Sequence, residues 1–286
     1  MALKIAVPNK GRLMEDTLAL LRAVGLRVPR SGDRTLIATT QGGKVQILFT
    51  RATDIPEFVE IGAADAGITG RDLVEETGFK VKTLLDLRYG QCKLVVAAPE
   101  HSPITSLRKI PTGARVATAF PNLTRRYFKK AGKKVLIVPV SGATEITPSI
   151  GVADLITDLT QTGSTLKQNH LVELGVVLES WAVFIANPSV KGEVRESLDD
   201  LVHAFESVEN ALHKRYLMAN VASGKLAEII RLIPGLKSPT VVSLAQKGQV
   251  AVHAVVEEAA INALLPKLQK AGATGILVLP IERMVP

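Results

Sequence analysis

Through the first 160 residues one pattern recurs. A short apolar run ends in a small polar or cationic turn, and a segment with helical spacing of apolar positions follows. "LKIAVP" (3–8) predicts a strand. Residues 11–25 predict a helix with Leu13, Leu20, Leu21 and Val24 near one face and Gly25 as its stop. "KVQILFT" (44–50) is a strand, Asp54 caps a short helix through Val59, and Gly62 ends it. "ADAGITG" (64–70) reads as a buried strand, and Asp72 with Glu75 forms a capping box before "LVEETG". Strands follow at 92–99, 115–120, 134–140, 153–159 and 176–188. A basic helix lies after 120 with Leu123, Tyr127 and Ala131 as its apolar stripe. Alternating strands and helices imply parallel sheets covered on both faces, which bind ligands at the carboxyl ends of their strands.

A long amphipathic helix spans 193–214, with Val194, Leu198, Leu201, Phe205, Val208 and Leu212 at spacings of three and four. The pattern then changes to strand 216–222, helix 223–233, a hairpin across Lys247–Gly248, a helix over 257–271 and strand 275–281. That β-α-β-β-α-β order is a ferredoxin-like module, and Pro266 is expected to kink its second helix.

The turns at strand ends carry the candidate chemistry. "TQTGSTL" (160–166) combines hydroxyls and a glycine between a strand and a helix start. A phosphate needs such converging hydroxyl and backbone N–H donors, although Thr- and Gly-rich turns also serve as plain turns. Asp154 and Asp158 lie four apart, on one side of a strand, suited to sugar hydroxyls or to a metal on a pyrophosphate. The cationic or hydroxyl turns Asn9–Arg12, Arg51–Pro56 and Ile68–Asp72 suggest one cleft for a heavily phosphorylated ligand; singly, each cation is also explained as a solvated surface residue.

Composition narrows the classes. The chain has 286 residues, 47% hydrophobic and 22% charged, with a formal charge of +8. This suits anionic substrates. Only 4% of residues are aromatic, which argues against base-stacking platforms for nucleic acid. No apolar run is long enough for a bilayer, the first residues do not read as a signal peptide, and the single cysteine, Cys92, permits no internal disulfide; together these point to the cytoplasm. Cys92 reads either as a small buried thiol or as a nucleophile. The run "TRRYFKKAGKK" (124–134) is a solvated helix face or a basic patch beside a phosphate site.

Six stretches together resemble the ATP phosphoribosyltransferases that open histidine biosynthesis, in the long form with a C-terminal regulatory domain. They are "VPNKGRL" (7–13), residues 51–76, "YGQCKLVVA" (89–97), "RVATAFPNLTRRYF" (115–128), residues 142–171 and "PGLKSPTVVSL" (234–244). The resemblance covers essentially the whole chain. It implies a two-lobed α/β core like type II periplasmic binding proteins, with residues 1–92 and 178–214 as lobe I and 93–177 as lobe II. Residues 215–286 would form the ferredoxin-like domain that binds histidine. It further implies Mg2+, ATP and phosphoribosyl pyrophosphate (PRPP) as substrates, histidine as feedback inhibitor, and assembly from dimers to a hexamer, with no nucleic acid or membrane partner.

By position, Thr162, Gly163, Ser164 and Thr165 would cradle the 5-phosphate of PRPP. Asp154 and Asp158 would face its ribose and the magnesium. Lys10, Gly11, Arg12 and Arg51 would hold pyrophosphate or ATP phosphates, and Asp72 and Tyr127 the nucleotide. Glu145 matches an acid of the family upstream of the loop. Leu236, Ser238, Thr240 and Ala273 would contact histidine. The family's usual "PKGRL" reads "PNKGRL" here, one residue longer before Lys10. Two other readings fit the same fold: a cytoplasmic effector-binding protein without catalysis, and a phosphoribosyltransferase acting on another base.

Overall fold

The computed structural model describes residues 2–28, 36–40, 42–233 and 239–285. The chain divides into two compact units, residues 1–202 and 203–286. The first unit runs β1 (Leu3–Pro8), α1 (Met14–Ala23), β2 (Ile37–Thr39), β3 (Val45–Thr50), α2 (Ile55–Glu60), β4 (Ala66–Gly70) and α3 (Arg71–Thr77). It continues with β5 (Lys82–Pro99), β6 (Ala114–Thr118), α4 (Pro121–Lys130), β7 (Val135–Pro139), β8 (Leu155–Thr160), α5 (Ser164–Gln168) and β9 (Leu171–Ala186). Helix α6 (Gly192–Ala211) carries the chain across the division.

The nine strands form one sheet in the order β2-β3-β1-β4-β9-β5-β8-β6-β7. Two parallel trios are built alike. In β3-β1-β4 and again in β7-β6-β8 the first strand of the trio lies between the second and third. The antiparallel pair β5 and β9 stitches the trios together and breaks register between Leu87 and Cys92. This is the two-lobed α/β build that the sequence implies. Hydrophobic periodicity marks only 92–99 and 176–188 of these two long strands. Residues 82–91 are mostly exposed or half-buried and include Lys82, Asp86, Arg88 and Gln91, so they carry no apolar alternation.

Each trio has its own core. Ala6, Ile55, Val59, Val183 and Ile185 pack together in one; Val96, Val116, Phe128 and Leu155 in the other. On α4 the inward residues are Leu123, Thr124 and Phe128, not the expected Leu123, Tyr127 and Ala131. The helix turns so that the apolar ring of Phe128 is buried, Tyr127 packs at the border of the same core and Ala131 is exposed. Gly67 lets α2 lie close to β4. A Cβ there would meet Ile55 Cγ2 at 2.5 Å and the Ala6 carbonyl at 3.2 Å. Gly67→Ala is therefore expected to cost about 1–3 kcal/mol by overpacking. A lowered urea midpoint at unchanged slope would show it, and an unchanged midpoint would mean that α2 shifts freely.

The second unit contains β10 (Lys214–Ala222), α7 (Leu226–Leu232), β11 (Thr240–Ser243), β12 (Gln249–Glu257), α8 (Glu258–Lys270) and β13 (Thr274–Pro280). Its antiparallel sheet has the order β11-β12-β10-β13, the ferredoxin-like arrangement. Leu217, Val221, Ile229, Val252, Val256, Leu264 and Leu268 form its core. Helix α8 runs on through Pro266, whose missing N–H deprives the Asn262 carbonyl of its intrahelical donor. Among the described residues no helix is long and apolar enough to cross a membrane.

Candidate active site

The parallel ladders set the site. Strands β1, β3 and β4 run the same way, so the turns after Pro8, Thr50 and Gly70 open at one edge of the sheet. Asn9, the extra residue of "PNKGRL", extends the ladder by donating its N–H to the Thr50 carbonyl at 2.8 Å. Gly11 then takes φ +85°, and α1 begins at Met14, three residues later than periodicity suggests. Arg12 therefore stands in a turn before the helix. Lys10 and Arg51 are exposed along the same edge.

Arg12 is clamped. Its Nη1 donates to the Gly90 carbonyl and to Cys92 Sγ (2.8 Å), and its Nη2 to Asp72 Oδ1 at 3.2 Å. A guanidinium has five donors; these bonds take three, leaving two for a ligand. Arg12 lines a recess of about 250 Å³ with Cys92, Leu159, Thr160, Gln161, Thr162, Ser164 and Thr165. The structure thus joins the first turn of the chain to the hydroxyl-rich turn after β8. A neighbouring hollow of about 310 Å³ shares Cys92 and Gln161 and adds Gln91, Lys93, Glu179, Ser180 and Trp181.

The turn itself is preorganised. Gly163 at φ +75° precedes α5, and its N–H donates to Thr160 Oγ1 at 2.9 Å. Thr162 and Ser164 hydroxyls bond each other at 2.9 Å. Cys92 is buried; burial pushes its thiol up, against the opposing pull of Arg12, so it stays protonated and serves as an acceptor for the guanidinium.

Several expected site residues lie elsewhere. Asp154 sits at the amino end of β8, where Arg115 holds it through its backbone N–H and its guanidinium, both at 2.8 Å. The Arg115 bonds hold its carboxyl below the usual range. It stands about 13 Å from Asp158 along an extended strand, so the two acids cannot share one metal. Asp158 is the acid at the carboxyl end. Burial pushes its carboxyl up, the Leu159 N–H pulls it down, and the nearby Glu145 pushes it up. Among the described residues no cluster of three or more His, Cys, Asp or Glu is placed to hold a metal.

Asp72 is not a helix cap. Gly70 occupies the N-cap, and the Asp72 carboxylate, 1% exposed, turns to Arg12 and Ser180 instead. Tyr127 lines a different hollow with Glu75, Arg126, Lys130 and Val176. The amino end of the basic α4 is already filled, since the Glu76 carboxylate accepts the Asn122 and Leu123 N–H groups at 2.8 Å.

Comparison with known proteins decides the lineage. The family model for ATP phosphoribosyltransferase matches residues 51–207, and the model for the C-terminal domain of HisG matches residues 211–283. The chain belongs to the ATP phosphoribosyltransferase family. The ATP phosphoribosyltransferase of Gemmatimonas aurantiaca is 50% identical over 99% of this chain and 100% of its own. That of Methanocaldococcus jannaschii is 49% identical over 98% and 99%. An ATP phosphoribosyl transferase (HisG:HisZ) complex from Thermotoga maritima superposes with a TM-score of 0.62 at 31% identity, over 71% of this chain and 96% of that one.

In the C-terminal domain typical of the family's long form, the described residues place two of the expected histidine contacts, Thr240 and Ala273, apart. Leu236 and Ser238 lie outside the described residues. Thr240 is exposed at the start of edge strand β11. Ala273 is buried in the domain core, its N–H bonded to the Leu268 carbonyl at 3.0 Å. It leads into β13, at the opposite edge of the sheet, three strand spacings or about 14 Å away.

Proposed function

We propose that this chain transfers the 5-phosphoribosyl group of PRPP to N1 of the adenine of ATP, releasing pyrophosphate, as the first step of histidine biosynthesis. Family membership along the whole chain supports the activity. The observation that carries the site is the recess where Arg12 meets the Thr160–Thr165 turn. In this reading the turn holds the 5-phosphate of PRPP and Asp158 faces the ribose. Arg12, with Lys10 and Arg51 along the same edge, takes the pyrophosphate or the ATP phosphates. Asp154 is left out because Arg115 occupies it.

The C1–oxygen bond to pyrophosphate breaks as the C1–N1 bond forms. Positive charge builds on the ribose and negative charge on the leaving group. The residues contribute positioning and charge neutralisation rather than covalent help. Mg2+ commonly binds one or two carboxylates plus substrate phosphates. The donor set here fits that habit through Asp158 alone, and the ion would screen the pyrophosphate. The lobes are read as residues 1–92 with 178–214 and residues 93–177.

The domain of residues 215–286 is read as the histidine sensor, with its site formed between two copies of the chain. Thr240 of one copy and the 271–275 turn of another are its candidate walls, since one chain holds them apart. The test is purified protein with ATP, PRPP and Mg2+, followed for phosphoribosyl-ATP with and without histidine. Turnover that histidine slows is expected. No product would overturn the activity, and turnover indifferent to histidine would overturn the sensor alone.

A further inference from the structure

We infer that Ser180 is a positioning residue for this transfer, acting through the buried carboxylate of Asp72 to aim Arg12 into the recess. The inference rests on the reading of Arg12 as an anchor for a polyphosphate. Ser180 stands on β9, 108 residues from Asp72 in sequence. Its hydroxyl accepts the Asp72 backbone N–H at 3.0 Å and donates to Asp72 Oδ1 at 2.5 Å. The same Oδ1 receives Arg12 Nη2. Asp72 is 1% exposed and lines neither hollow; Ser180, also 1% exposed, borders the neighbouring hollow but not the recess that Arg12 lines, and its hydroxyl proton is given to Asp72. Arg12 remains about a quarter exposed, at the wall of the recess.

The surroundings are shaped for this pair. A Cβ at Gly70 would meet Asp72 Oδ1 at 2.2 Å and Arg12 Nη2 at 3.4 Å, so the chain carries no side chain there. At Gly90, whose carbonyl holds the other side of the guanidinium, φ is +63° and a Cβ would strike Leu13 at 2.2 Å. Arg12 is thus fixed on both Nη atoms by β5, α3 and, through Asp72, β9. A guanidinium held this way is a directed donor, and direction is what an in-line displacement of pyrophosphate requires. Without the Ser180 hydroxyl the carboxylate loses the bond that fixes its rotamer, and Arg12 loses its aim.

The test is a double-mutant cycle on the full chain. Calorimetric affinities for PRPP, ATP and inorganic pyrophosphate are measured for wild type, Ser180→Ala, Arg12→Ala and the double variant. Ser180→Ala is expected to weaken the ligand that Arg12 anchors about tenfold, the scale of one hydrogen bond to a charged group. In the Arg12→Ala background it should cause no further loss. Comparing PRPP with ATP shows which polyphosphate Arg12 holds. Losses that simply add would mean that Ser180 acts on the fold and not through Arg12. Wild-type affinity in Ser180→Ala beside weakened Arg12→Ala would overturn the positioning role and leave the anchor standing. Unchanged binding in Arg12→Ala would overturn both. Should Ser180→Ala fail to fold, Ser180→Cys enters the same cycle, keeping the volume close and replacing the strong hydroxyl donor to Asp72 with a weak one.

Discussion

Gly163→Val should weaken PRPP binding by tenfold to a hundredfold and leave ATP binding near its wild-type value. Space is not the reason, since a Cβ at Gly163 would meet nothing within 4 Å. The reason is the backbone. Gly163 sits at φ +75°, where a β-branched residue is strained by on the order of 1–3 kcal/mol. To escape, the turn must rotate, which breaks the Gly163 N–H bond to Thr160 and moves the paired hydroxyls of Thr162 and Ser164 out of the recess. Thr165→Ala removes one donor from the same wall without moving the backbone. A hydrogen bond to a charged group is worth about 1.5–3 kcal/mol, so it should approach the same loss. Calorimetric titration of each substrate, with a melting curve for each variant, measures this. Unchanged PRPP affinity in both folded variants would falsify the turn as the 5-phosphate site.

The second large effect separates the two acids. Asp158→Asn should lower turnover strongly and abolish most of the Mg2+ dependence of PRPP affinity. Asp154→Asn should do neither, because its partner is Arg115 at the far end of β8. The pH behaviour follows from the opposite shifts. Asp158 is raised, chiefly by burial, so the acid limb of kcat/KM should lie above the ordinary carboxylate range and vanish in Asp158→Asn. A raised carboxyl also stabilises the fold only while protonated, and that contribution is lost as pH rises through its folded value. At neutral pH Asp158→Asn should therefore be no less stable than wild type. Asp154 is lowered by Arg115, so its contribution is present above the unfolded carboxyl value and lost as pH falls through the folded one. The pair is partly exposed, and Asp154→Asn should show only a small loss of stability, confined to pH above the acid range. Wild-type turnover in Asp158→Asn would mean that Asp158 is structural, and an equally large loss in Asp154→Asn would overturn the separation of the two acids.

The strand-and-turn rhythm is legible in the residues alone, because apolar runs and the glycines that stop them are local properties. Gly11 and Gly163 do take positive φ at the two turns singled out, and the β-α-β-β-α-β order of residues 214–280 follows from the same periodicity. The hydroxyl turn at 160–166 and the cationic turn at 9–12 were visible because their chemistry is contiguous. Tertiary structure alone decided which side chains meet. Asp154 and Asp158 share a strand face, yet the ladder with β6 sets one against Arg115 and leaves the other at the carboxyl end of β8. Asp72 reads as a cap in its own segment, but a buried carboxylate seeks a cation and a hydroxyl, and it finds them 60 and 108 residues away. Ser180 and Gly90 carry no local mark at all. Their contacts arise because β9 pairs with β4 on one side, which sets Ser180 beside Asp72, and with β5 on the other; the exposed, charged stretch 82–91 hides the second pairing from any reading of hydrophobic pattern.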